Sequence, residues 1–142
     1  MLRVKHLLDL KGRSVWSIAP EEPVLRAIQL MAAKGVGALP VLKGLELVGI
    51  VSERDYARKV ILQGHSSSDT QVREIMYSPV ITVTENETVH HCMELVTERR
   101  IRHLPVVERD RVIGIVSIGD LVKAVIEEQQ QTIDQLERYI VG

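Results

Sequence analysis

Apolar residues recur along this chain at two different spacings. Val24, Ala27, Ile28 and Met31, and again Val89, Cys92, Met93 and Val96, step by three and four, which predicts helices. Between and after them lie short β-branched runs, Ala38–Leu42 with Leu47–Val51 and His103–Val107 with Val112–Val116. "KGLE" and "ERDR" separate the members of each pair, as hairpin loops would. A short strand-like stretch, Val15–Ile18 or Val80–Val83, precedes each helix across a turn, "APEEP" or "TENET". Pro23 suits the first helical turn, and Thr88 stands at the same place in the second copy. A further helix is expected after each Ser-x-x-Asp.

These elements are two copies of one pattern. Val15 to Ile61 lies over Val80 to Ile126 without a gap, each pair separated by 65 in number. Val24/Val89, Leu39/Leu104, Pro40/Pro105, Gly49/Gly114, Ser52/Ser117 and Asp55/Asp120 are identical. Two copies are too few, and the period too long, for a solenoid. The expected fold is α/β of the α+β kind: two β-α-β-β-α units related by a pseudo-two-fold axis, plus a C-terminal helix. The expected boundaries are 1–64 for the first unit with its lead-in helix and 65–79 for a linker and second lead-in, the polar "HSSSDTQ" being the linker proper. The second unit then spans 80–126, and a helical extension 127–142. Along that extension Ile126, Gln129, Ile133, Leu136 and Ile140 form a narrow seam. It suits pairing with another chain or folding back onto its own domain, and the sequence leaves both open.

Composition narrows the function classes. Apolar residues are 45% and charged residues 26%, ordinary for a soluble globular chain, while three Tyr, one Trp and no Phe leave the core to Val, Ile and Leu. A net charge of −1 supplies no field for nucleic acid or an anionic membrane. No run reaches membrane-spanning length and the N-terminus lacks a signal-like apolar core, so the expected location is cytoplasmic. The lone Cys92 excludes an internal disulfide. In "HHC", His90, His91 and Cys92 point about 100° apart on a helix and do not converge on a metal. No nucleophile–base pairing or hydrolase-type phosphate loop is present, so no catalytic residue is assigned and the chain is not expected to be an enzyme.

The candidate chemistry sits in "GIVSERD" (Gly49–Asp55) and "GIVSIGD" (Gly114–Asp120). A strand ends and a helix begins there, and the first-turn amides of a helix attract phosphate. Ser52 and Ser117 add a hydroxyl, and Asp55 and Asp120 place a carboxylate where it can accept both hydroxyls of a ribose. The same Ser-x-x-Asp is equally a helix-capping box. Local chemistry alone does not separate the two roles.

"GALPV" and "RHLPV", followed by the two junctions and led in by "VREIMYSPVITV" (Val72–Val83), resemble the CBS domain, and two in tandem resemble a CBS pair, or Bateman module. The likeness is to stand-alone pairs of the bacterial and plant-organelle type. It implies a regulatory binding module whose clefts hold adenosine-type ligands: AMP first, then ATP or ADP, NAD and S-adenosylmethionine. By this resemblance the adenine slot falls at Gly37, Ala38, Leu39 and Pro40 in one copy and Arg102, His103, Leu104 and Pro105 in the other. Ser17 and Thr82, with Ile18 and Val83, form the far wall. Gly49 and Gly114 open the junctions, Arg54 is a phosphate clamp in the first copy, and Gly119 leaves open backbone in the second. For Leu39 and Leu104 plain core packing is the preferred reading. The resemblance also implies a homodimer through the helices and a protein partner acted on in trans, with no nucleic acid or membrane. A constitutive dimeric adaptor, or a ligand-independent regulator of a thioredoxin-type partner, is the alternative.

Overall fold

The structure is a computed structural model that describes residues 1–141. Its elements run α1 (Val4–Lys11), α2 (Val24–Lys34), β1 (Ala38–Lys43), β2 (Glu46–Ser52), α3 (Glu53–Tyr56), α4 (Val89–Arg99), β3 (His103–Glu108), β4 (Arg111–Ser117) and α5 (Ile118–Val141). After α3 the chain widens into a π-helical turn, Ala57–Ile61, and Val72–Glu74 form a 3₁₀ turn. β1 pairs with β2 and β3 with β4, giving two small sheets.

The chain divides into two compact units, but not along the expected boundaries. One unit holds Ser14–Ile81 with Arg109–Val112; the other holds Met1–Arg13, Thr82–Glu108 and the described residues from Ile113 onward. The helix that precedes the first repeat therefore belongs with the second, and the stretch from 65 to 81 belongs with the first.

In the unit of the first repeat, β1 and β2 are in register from Ala38 opposite Ser52 to Val41 opposite Gly49, with a bulge before Leu42. Ile18 adds a parallel bridge to Val41, and Tyr77 an antiparallel bridge to Ile50. The expected strand at Val15–Ile18 is thus reduced to one residue. Its cause is proline. Ile18 donates to Pro40 O (3.2 Å) and accepts from Leu42 N (2.9 Å), but Pro40 and Pro20 lack the N–H groups that the neighbouring rungs need. Val83 repeats the arrangement against Pro105 O (3.1 Å) and Val107 N (2.9 Å), so the Val80–Val83 strand shrinks in the same way.

The segment expected as a linker is structural beyond its first few residues. Thr70 O accepts from Val24 N (2.8 Å), Glu22 O accepts from Val72 N (2.9 Å), and Val72 and Ile75 are buried with Ile18, Val24, Met31, Leu39, Val41 and Val51. The second unit buries Val83, Val89, Cys92, Val96, Leu104, Val106 and Val116, the counterparts at the repeat spacing, together with Val4, Leu7 and Leu8 of α1. Pro23 and Thr88 stand one place before their helices, as N-caps, and Thr88 Oγ1 accepts from His91 N (3.1 Å).

α5 is continuous through residue 127, where an extension was expected to begin, because no Gly or Pro interrupts it after Gly119. It buries Leu121 and Ala124 near its start, and every described residue from 129 onward is exposed. Folding back is therefore not what this helix does.

Candidate functional site

Each junction is built by a strand that ends against the start of a helix. Ala38 lies opposite Ser52, and Glu53 N donates to Gly37 O (3.1 Å), so the end of β2 is tied to the residues before β1. In the second copy Ile118 N donates to Arg102 O (2.8 Å), the same bond at the repeat spacing. Within each unit the fold thus gathers Gly37, Ala38, Ser52 and Asp55, or Arg102, His103, Ser117 and Asp120, at one end of a hairpin.

The serine and aspartate pairs form complete capping boxes. Ser52 Oγ accepts from Asp55 N (3.2 Å), while Asp55 Oδ2 accepts from Ser52 N and from Ser52 Oγ (both 3.0 Å). Ser117 Oγ accepts from Asp120 N (3.1 Å), and Asp120 Oδ2 accepts from Ser117 N (2.8 Å). The capping role left open by the sequence is filled in both copies. Neither carboxylate is sealed, since their side chains keep 19% and 29% of their exposure.

The two aspartates differ in their cations. Lys59, four residues along in the π-helical turn, approaches Asp55 Oδ1 at 3.5 Å. Asp120 Oδ2 instead meets Lys11 Nζ of α1 at 2.6 Å. Burial raises the Asp120 pKa, but the Lys11 bond, the Ser117 N–H and the Lys11 charge outweigh it and hold the carboxyl below its ordinary value. An open groove of about 570 Å³ runs beside this pair, walled by His6, Leu7 and Leu10 of α1 and by Lys123 of α5.

Other expected site residues have different surroundings. A β-carbon on Gly49 would clash with Met76 Sδ, and one on Gly114 would lie 2.7 Å from Leu8 Cδ2. Both glycines are buried, and their lack of a side chain is accounted for by packing. Leu39 and Leu104 are fully buried, as the core reading held, and Ala38, Pro40 and Pro105 are buried too, so these residues offer backbone rather than side chains. Arg54, Thr82, Arg102 and Gly119 are exposed, and His103 is half-buried. Ser17, also exposed, opens on a hollow of about 420 Å³ with Ala19, Glu22 and Arg26. His90 Nε2 lies 3.5 Å from Glu128 and His91 Nε2 3.7 Å from Glu87, whereas Cys92 is fully buried.

The sequence reading missed Lys11, Leu8 and Met76. A weak signal existed: "VKHLL" and "VREIM" are alike, placing Leu8 and Met76 at equivalent positions, but at a separation of 68 rather than 65.

Two units that repeat one capped strand-to-helix junction define a tandem-repeat module. The chain belongs to the CBS-domain family, whose model matches residues 8–62 and 72–127. Among curated proteins it is similar to the mitochondrial CBS domain-containing protein CBSX3 of Arabidopsis thaliana, 41% identical over 149 residues that cover 98% of this chain and 72% of that one. A solved CBS-domain structure, NE2398, is 52% identical with a TM-score of 0.83, covering 89% of this chain and 99% of its own. The CBS pair of protein MJ0100, solved with 5′-methylthioadenosine and S-adenosyl-L-methionine, is 27% identical with a TM-score of 0.77, covering 87% and 98%. No helix of the described residues is long and apolar enough to cross a membrane.

Proposed function

We propose that this protein is a regulatory CBS pair that binds an adenosine-type ligand at the two Ser-x-x-Asp junctions, self-associates as a homodimer, and acts on a partner protein in trans. One observation carries the reading: both repeats present the same partly exposed carboxylate beside a helix start and a strand end. Ser52 and Ser117 place a hydroxyl and first-turn amides for phosphate, while Asp55 and Asp120 take the ribose diol. The backbone of Gly37–Pro40 and of Arg102–Pro105 meets the adenine edge, with Ser17 and Thr82 opposite. Arg54 and the open backbone at Gly119 serve the phosphate end. AMP is the first ligand in this reading, followed by ATP or ADP, NAD and S-adenosylmethionine. The ligand complex of the MJ0100 pair supports the class. Binding shifts the balance of two conformations, and the partner responds to the state favoured.

The complete capping boxes favour a second reading, a constitutive adaptor in which Ser and Asp only hold helix ends. Calorimetric titration of nucleotide-stripped protein with AMP, ATP, NAD and S-adenosylmethionine separates them. Asp55→Asn with Asp120→Asn keeps an acceptor for each serine amide but removes the charge. The expected result is binding of at least one ligand, weakened roughly 10- to 100-fold in the double variant. Absence of binding, or binding indifferent to the substitutions in a variant that melts cooperatively, leaves the adaptor.

A further inference from the structure

α5 carries a feature that the junctions do not use. Val122, Ile126, Ile133, Leu136 and Ile140 are 40%, 58%, 47%, 57% and 80% exposed. With Gln129 they step by four and three along one stripe, roughly 27 Å long at 1.5 Å per residue. The stripe faces away from the side on which Asp120, Ala124 and Gln131 line the groove with α1. Its outer half lies beyond residue 127, where the match to the family model stops. An uncovered apolar stripe of this length marks an interaction surface.

We propose that this stripe pairs, antiparallel, with α5 of a second copy, the two-fold axis passing beside Gln131. The inference rests on the self-association in the reading above and names its surface and register. Opposed helices bring each position of one alternating set against the other set. Only with the axis at Gln131 do all six positions meet: Val122 with Ile140 of the other copy, Ile126 with Leu136, and Gln129 with Ile133. The flanks then match as well. Lys123 falls beside Glu137 of the other copy, twice by symmetry, and Val125 falls beside Tyr139, which is 86% exposed. Neither Lys123 nor Glu137 has an ion-pair partner among the described residues. Glu127 and Asp134 lie toward the opposite side of the helix and do not face the partner's acids. Parallel pairing would instead set Gln129 on Gln129 and Glu137 against Thr132, matching no charge. Flanking charge complementarity is what fixes orientation in paired helices.

Two cysteine variants of the full chain test orientation, with light scattering for mass and wild type as control for buried Cys92. In a single helix residues 123 and 137 are roughly 21 Å apart, so a disulfide between them must join two chains. Under mild oxidation Lys123→Cys with Glu137→Cys gives a covalent dimer and Leu136→Cys does not. Separately, Lys123→Glu weakens dimerisation about fivefold, and adding Glu137→Lys restores it. A covalent dimer through Leu136→Cys overturns the antiparallel register. A dimer by mass with neither crosslink overturns the stripe as the interface and leaves self-association standing. A monomeric wild type overturns both.

Discussion

Lys11 Nζ lies 2.6 Å from Asp120 Oδ2, joining the helix that precedes the first repeat to the junction of the second. The corresponding Asp55 instead meets Lys59, at 3.5 Å and four residues along the chain. Two junctions that are alike in sequence are therefore electrostatically unequal.

Lys11→Met exposes that inequality through pH. The Asp120 carboxyl is held below its ordinary 3.8, so its contribution to stability is present above that pH and is lost as pH falls through the lower folded value. A partly exposed pair of this kind contributes about 0.2–1 kcal/mol. Wild type melts above Lys11→Met at pH 7, and the gap narrows below pH 3.8. A gap independent of pH contradicts the assignment. If Asp120 is also the ribose acceptor, a ligand must displace Lys11. Lys11→Met in an Asp55→Asn background then tightens AMP about two- to fivefold by titration.

Gly114→Ala puts a methyl group 2.7 Å from Leu8 Cδ2, and Leu8 is only 1% exposed. Overpacking of this order costs about 1–3 kcal/mol. Leu8→Ala empties the space that the new methyl needs, so in denaturant melts the double variant is more stable than the sum of the single effects implies. Strict additivity would show that the two residues do not touch. Gly49→Ala and Met76→Ala form the same cycle in the other unit, where the new methyl would meet Met76 Sδ.

Cys92 is fully buried, and burial, helped by the charge of Glu87, pushes its thiol up to about 11. A thiol reagent at pH 8 reacts at a rate set by unfolding, and at full speed only in denaturant. Rapid labelling of the folded protein would contradict the burial of this thiol.

The outcome at Pro40 and Leu8 marks the limit of reading this chain as a string. Helices, hairpins and the Ser-x-x-Asp caps were legible because each depends on residues a few positions apart: apolar spacing, hairpin loop residues, a hydroxyl three before a carboxylate. Even the duplication of the core, Val24 with Val89 and Leu39 with Leu104, follows from one repeated pattern. The loss of the first strand was legible in principle, since Pro20 and Pro40 announce their missing donors.

What only the tertiary structure decided is which lead-in serves which repeat. Chain order puts α1 with the first copy, yet Leu8 fills the space over Gly114, and Met76 that over Gly49. Lys11 and Asp120 are 109 positions apart, and no local pattern links them. Hydrophobic packing is non-directional and blind to sequence distance, so any apolar lead-in could in principle cover either hairpin. The choice falls to the complementarity of whole surfaces, in which a missing β-carbon faces a Leu or a Met. That complementarity, rather than periodicity, also gives two similar motifs different electrostatic surroundings.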